Sequence, residues 1–226
     1  VNMMGGIFVA PLKAIEEVLP RGPYRPLQIS PSHGLVGLHC MEYISSDIGP
    51  YNEVSLAVGV QRKSALPLSG IRILKSILTN TFEARVIDLP VTTEVALQGG
   101  LLVYNYPKYL AEITFRETKR YRVCTVRDRE SKDLIIEFDG RKLEGQKFQR
   151  PVLDFHNYPE KDGQHLHARV EINRIEGSTS FFMAHGRLRI GSHPRAQTYR
   201  RLNLGLLMQY FYVPNAEAIL YAPEPM

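Results

Sequence analysis

The chain carries many short runs of strand character and almost none of helical period, which confines it to β-rich architectures. Segments 34–43 (GLVGLHCMEY), 53–60 (EVSLAVGV), 112–118, 121–127 and 134–138 are rich in β-branched, aromatic and other apolar residues and are bounded by turn formers. Segment 166–172 (LHARVEI) alternates apolar and polar residues, as a half-exposed strand does. Runs 180–190 and 206–213 have the same character, and Lys132-Asp133, Asp139-Gly140 and Asp162-Gly163 read as turns. Helical signals are confined to 11–19, framed by Pro11 and Pro20, and to 92–98, with Thr92 or Thr93 as cap and Gly99-Gly100 as terminator. Within the loop-like insertion 61–81, the apolar stretch 71–78 is expected to form a further short helix. Closely spaced strands with few helices predict a mostly antiparallel sandwich or barrel. With no fixed-period repeat and no linker, one domain is expected over 1–226.

The 226 residues are 44% hydrophobic and 23% charged, a mix that excludes wholesale disorder. No apolar run approaches the ~18–20 residues of a membrane helix, so no membrane partner is expected. Segment 5–12 is short and lacks a preceding basic stretch, so it does not read as a signal peptide, and a cytoplasmic location is expected. Cys40 and Cys124 are too few for a disulfide framework and lack paired zinc spacing, which leaves two reduced, buried thiols. The net charge of +5 arises mainly in 116–129 and 187–201, but Glu117, Asp128 and Glu130 interrupt the first of these. No recognition helix, RNP-like aromatic motif or zinc finger accompanies them, so nucleic acid is not an expected partner. A modest positive field equally draws in a small anionic substrate.

The most informative chemistry lies in 101–113 (LLVYNYPKYLAEI), where Lys108 follows Pro107 between Tyr106 and Tyr109. Such a lysine either snorkels its ammonium past the tyrosines to water or is desolvated, which disfavours the charged form. A neutral amine attacks ketones and aldehydes, the requirement of Schiff-base catalysis. In 48–58 (IGPYNEVSLAV), Glu53 opens an otherwise apolar run, either facing solvent at a strand end or pointing into a cavity. His165 and His167 alternate on a strand without a third ligand nearby and read as ordinary surface histidines, so no metal is expected. His39 and Cys40 read as core or supporting residues of a buried strand. Neither a Gly-x-Ser-x-Gly elbow nor a phosphate-binding glycine loop occurs.

Tyr51-Asn52-Glu53 and Tyr106-Pro107-Lys108 together resemble the Tyr-x-Glu and Tyr-Pro-Lys signatures of the acetoacetate decarboxylase family. Leu110-Ala111 follows the lysine as in many members, and Gly100 stands where that family has a glycine. Weaker likeness extends over 85–100, Leu19-Pro20-Arg21-Gly22, a loop at 155–163 and the start of a closing strand at Pro214-Asn215-Ala216-Glu217. The resemblance implies a cone-like barrel or folded sheet with a few short outer helices, and an assembly of several copies. It implies Lys108 and Glu53 as catalytic residues, the lysine forming an imine with a small keto acid and the carboxylate relaying protons. Tyr106, Tyr51 and Tyr109 are implied as substrate-binding, and neither metal nor organic cofactor is required. The chain departs from the pattern where a second lysine would stand, which is Tyr109, and where Gly-Arg-Glu would precede the lysine segment, which is Gly100-Leu101-Leu102. The residue that binds the substrate carboxylate is therefore unassigned. Two rivals to decarboxylation stand beside it: an aldolase or dehydratase using the same lysine on a pyruvate-like compound, and a non-catalytic member that only binds a small ligand.

Overall fold

In a computed structural model, residues 1–64, 73, 75–76, 78–143, 146–147, 152–183 and 185–226 are described. Twelve strands carry the architecture. They are β1 (Asn2–Pro11), β2 (His33–Tyr43), β3 (Tyr51–Arg62), β4 (Thr81–Val91), β5 (Lys108–Leu110), β6 (Glu112–Glu117), β7 (Tyr121–Arg127), β8 (Leu134–Arg141), β9 (Val152–Asn157), β10 (Gln164–Phe181), β11 (Gly186–Ile190) and β12 (Leu207–Leu220). Seven of them close a barrel in the order β3-β2-β1-β12-β10-β9-β4, with β4 returning to pair with β3. All of these pairings are antiparallel except β9 with β4, so the barrel is mixed. A four-stranded antiparallel sheet, β11-β8-β7-β6, packs against one side. The mostly-β expectation and the barrel alternative both hold.

The near-continuous apolar character of β2 and β3 follows from this arrangement, because both faces are buried. Val36, Leu38, Cys40, Val54, Leu56 and Val58 point outward into the main core, where they meet Cys124, Val126, Ile136 and Phe138 of the smaller sheet. The alternate residues point into the barrel. Cys40 and Cys124 are buried free thiols.

Several local expectations fail for identifiable reasons. Asp139-Gly140 lies inside β8, since a Cβ on Gly140 would sit 2.4 Å from the Tyr210 hydroxyl oxygen; the glycine admits a tyrosine and does not turn the chain. Asp162-Gly163 does turn, with both residues at positive φ. The run 180–190 is split between β10 and β11. Pro214–Glu217 lies within β12 rather than at its start, and 155–157 belong to β9 rather than to a loop. Strand β1 was not legible as one. Part of the helix expected over 71–78 lies outside the described residues; Ile73, Lys75, Ser76 and Leu78 are helical. Arg122, which counts toward a basic stretch in the sequence, is 1% exposed, ion-paired with Glu42 and Glu117 and stacked on Phe115. Among the described residues, no helix is long and apolar enough to cross a membrane.

Candidate active site

Lys108 reaches the barrel interior through a gap in its wall. Strand β9 pairs with β4 only over Thr81–Ala84. Further along β4, the three residues of β5 take up the edge, with Lys108 opposite Leu89. The approach is a sequence of local constraints. Helix α1 (Glu94–Gly99), capped by the Thr93 hydroxyl, runs into one π-helical turn over Gly100–Tyr104. Asn105 ends it in the left-handed conformation at φ 51°, which asparagine tolerates better than most residues. Pro107 then holds Tyr106 extended, and Lys108 emerges as the first strand residue.

Inside, Lys108 Nζ donates to Glu53 Oε2 at 2.8 Å and to the Ala96 carbonyl of α1 at 3.3 Å. The two charged side chains are 6% and 7% exposed. Gly100 makes the passage possible, because a Cβ there would lie 2.2 Å from Lys108 Cδ and 2.4 Å from Cε. The glycine is required by the close approach of the lysine stem, not by its own backbone angles, which are helical.

Tyrosines surround the pair. Tyr43 and Tyr51 stack at 4.4 Å, and Tyr104 and Tyr106 at 5.1 Å. Burial, reinforced by the nearby Glu53 carboxylate, pushes the phenols of Tyr51 and Tyr106 above their ordinary value, so both remain protonated donors. The buried Tyr106 hydroxyl has no hydrogen-bond partner among the described residues. The cavity that these side chains share with Lys108 and Glu53 has a volume of about 1060 Å3. His39 lines it as well, between Phe155 and Phe211, and burial lowers its pKa to about 4, so it is neutral near pH 7.

The structure thus brings Lys108, Glu53, Tyr51 and Tyr106 to one cavity and sends Tyr109 elsewhere. Alternation along β5 puts Tyr109 on the opposite face from Lys108. There its hydroxyl donates to Asp88 at 3.2 Å, its ring lies 3.9 Å under the Arg195 guanidinium, and it is part of the main core. A substrate-binding role for Tyr109 is corrected accordingly. His167 stacks on His156, with ring nitrogens 2.7 Å apart, and His165 faces Glu160. Among the described residues no group of three or more potential ligands is placed to hold a metal. Sequence reasoning missed Ala96, Tyr43, Tyr104 and Arg174, a half-buried arginine of β10 that lines the cavity. Inward alternation on β2 and β10 is the signal that would have found Tyr43 and Arg174. The contribution of Ala96 is a backbone carbonyl and leaves no mark on residue type.

No curated sequence matches the chain. In structure it is similar to an acetoacetate decarboxylase from Legionella pneumophila, with TM-score 0.67 and 13% identity over 100% of this chain and 84% of that one. A second acetoacetate decarboxylase gives TM-score 0.69 at 14% identity, covering 100% and 86%. The enduracididine biosynthesis enzyme MppR, complexed with pyruvate, gives 0.65 at 10%, covering 99% and 87%. At such identities these likenesses show the fold. The sequence profile of the acetoacetate decarboxylase family matches residues 2–201, and the chain belongs to that family.

Proposed function

We propose that this protein is a carbon–carbon lyase that decarboxylates a 3-oxo acid through an imine on Lys108. The observation that carries the reading is the 2.8 Å contact between Lys108 Nζ and Glu53 Oε2, two side chains buried side by side in the cavity wall. Transfer of one proton along that hydrogen bond leaves a neutral amine beside a neutral carboxylic acid. The amine attacks the ketone carbon, and Glu53 returns the proton to the departing hydroxyl, so water leaves and an iminium forms. The bond to the carboxylate then breaks, its electron pair passes to the iminium nitrogen, and carbon dioxide and an enamine result. Protonation of the enamine carbon and hydrolysis of the imine release the ketone and restore the lysine. Tyr106 and Tyr51, held protonated, donate to substrate oxygens at the reacting end. The proton that the enamine carbon takes up comes from solvent, and no step of the route calls for a metal or organic cofactor.

A second reading uses the same imine for aldol condensation or dehydration of a pyruvate-like compound. It is favoured by the structural likeness to MppR, which also has a structure with the condensation product of pyruvate and imidazole 4-carboxaldehyde. Borohydride treatment with acetoacetate, pyruvate and related carbonyls tests both. A stable mass addition at Lys108 supports imine chemistry, and carbon dioxide release selects decarboxylation over condensation. The absence of an adduct with any carbonyl overturns both and leaves a ligand-binding member of the family. The protein is further proposed to act in the cytoplasm as a homo-oligomer, a state that sedimentation of the purified chain reads directly.

A further inference from the structure

We infer that the carbonyl substrate carries a long apolar tail, an extended alkyl chain or its aryl equivalent, which lies along the barrel axis away from Lys108. This deepens the imine reading and rests on it for the chemistry at the lysine, but not for the shape of the cavity.

Three observations carry it. The first is size: about 1060 Å3 is at the upper limit of the ~300–1,000 Å3 typical of sites for drug-sized ligands, and a four-carbon keto acid would leave most of it to water. The second is taper. The inward residues of β3, read away from the reacting end, are Glu53, Ser55, Ala57 and Gly59, and those of β2 are Tyr43, Met41, His39 and Gly37. The β3 series shrinks with distance from the Lys108–Glu53 pair, so that wall recedes where a small substrate has nothing to reach, while on β2 the His39 ring covers Gly37 and Leu35 follows it. From Glu53 to Gly59 the strand runs about 20 Å at ~3.3 Å per residue, room for a tail of roughly eight to twelve carbons. Gly59 is not required by its backbone, and a Cβ there would meet only ordinary contacts at 3.5 Å and beyond. A methyl group would fit there against Leu35 and Leu27, so the glycine leaves that much room in the wall.

The third observation is polarity. The walls along the taper are mostly apolar, with Leu27, Leu35, Ala84, Val86, Phe155 and a neutral His39, although Glu83, Asn157 and Arg174 line the same cavity. Water is poorly held by such walls, and an apolar tail displaces it favourably. Each methylene buried there strengthens binding about three- to fourfold until the space is filled.

The test has two arms. In the first, intact protein is trapped with borohydride and a series of methyl ketones and 3-oxo acids of increasing tail length. The second-order trapping rate is expected to climb about three- to fourfold per methylene and then level off. Ala57→Leu and Gly59→Leu are each expected to move the optimum to shorter tails, and either variant suffices if the other fails to fold. Equal rates for acetone and the longest ketone overturn the inference while leaving imine chemistry intact. In the second arm, calorimetry measures binding of the same ketones to Lys108→Met, which cannot form an imine. A preference for long tails that persists there supports the inference even if the wild-type protein traps nothing, an outcome that would sink the proposed function alone. Binding of no ketone, or binding indifferent to length, overturns it.

Discussion

Removing one member of the Lys108–Glu53 pair is expected to cost more stability than removing both. The atoms meet at 2.8 Å with side-chain exposures of 6% and 7%, so each charge depends on the other in place of water. Truncating one partner of such a buried pair typically costs about 3–5 kcal/mol, because a lone charge remains. In Lys108→Met the carboxylate loses its ion partner, and a loss of about 3 kcal/mol is expected. Glu53→Gln strands the ammonium with the Ala96 carbonyl and an amide oxygen, and a similar loss is expected. The double variant Glu53→Gln/Lys108→Met fills the same volume without charge and is expected within about 1 kcal/mol of the wild type. For a chain of this length, 3 kcal/mol corresponds to a Tm lower by about 6–12 °C. Urea unfolding of the four proteins closes the double-mutant cycle. Single variants within about 1 kcal/mol of the wild type would mean that the pair behaves like a surface ion pair, and the argument for a dry amine would fall.

Lys108→Met is also expected to abolish turnover and borohydride trapping, and residual turnover would remove the lysine from the mechanism. Glu53→Gln is expected to lower kcat more than it raises KM, since a proton relay acts on the transition state; equal changes in both would make Glu53 a binding residue only. Gly100→Ala is expected to push the lysine stem off its path and slow trapping at least tenfold while Tm changes little, so an unchanged trapping rate would refute the steric role of the glycine. Two buried groups should give opposing pH dependences. Burial raises Asp88 to about 6 from 3.8, so the folded state holds more protons than the unfolded one between pH 4 and 6, and stability falls by about 3 kcal/mol as pH rises through that window. Burial lowers His39 to about 4, so there the unfolded state holds more protons, and stability rises between pH 4 and 6.5 by at most about 3 kcal/mol, because the ring is only partly covered. Relative to wild type, Asp88→Asn should therefore gain stability with rising pH and His39→Gln should lose it; slopes of the same sign would contradict both assignments.

Much of the barrel is legible because its strands are buried on two faces. The apolar runs over β2 and β3 and the β-branched run of β7 declare themselves by residue type. Strand β1 does not, since Gly5 and Gly6 weaken its β character. Gly5 is there because Phe211 and the Leu38 carbonyl come within 2.6 and 2.0 Å of a notional Cβ, a constraint imposed from neighbouring strands. Asp139-Gly140 misleads in the same way: the local dipeptide favours a turn, and the Tyr210 ring from a distant strand gives the glycine its purpose.

The candidate site divides along a similar line. Composition and local order mark Lys108 and Glu53 as breaks in apolar patterns but leave a surface reading open for each; the resemblance of Tyr51-Asn52-Glu53 and Tyr106-Pro107-Lys108 to the family signatures is what singles them out. Proximity of those two side chains, 55 positions apart in the chain, depends on β5 adding to β4 where β9 has ended, and no short-range signal encodes that. Pleat parity decides Tyr109: being next to the lysine in sequence places it on the other side of the wall, paired with Asp88. The shape of the cavity is likewise a tertiary property. The alternation Glu53, Ser55, Ala57, Gly59 is plain to read, but it becomes a tapering wall only when seven strands close and turn those four side chains onto one enclosed space.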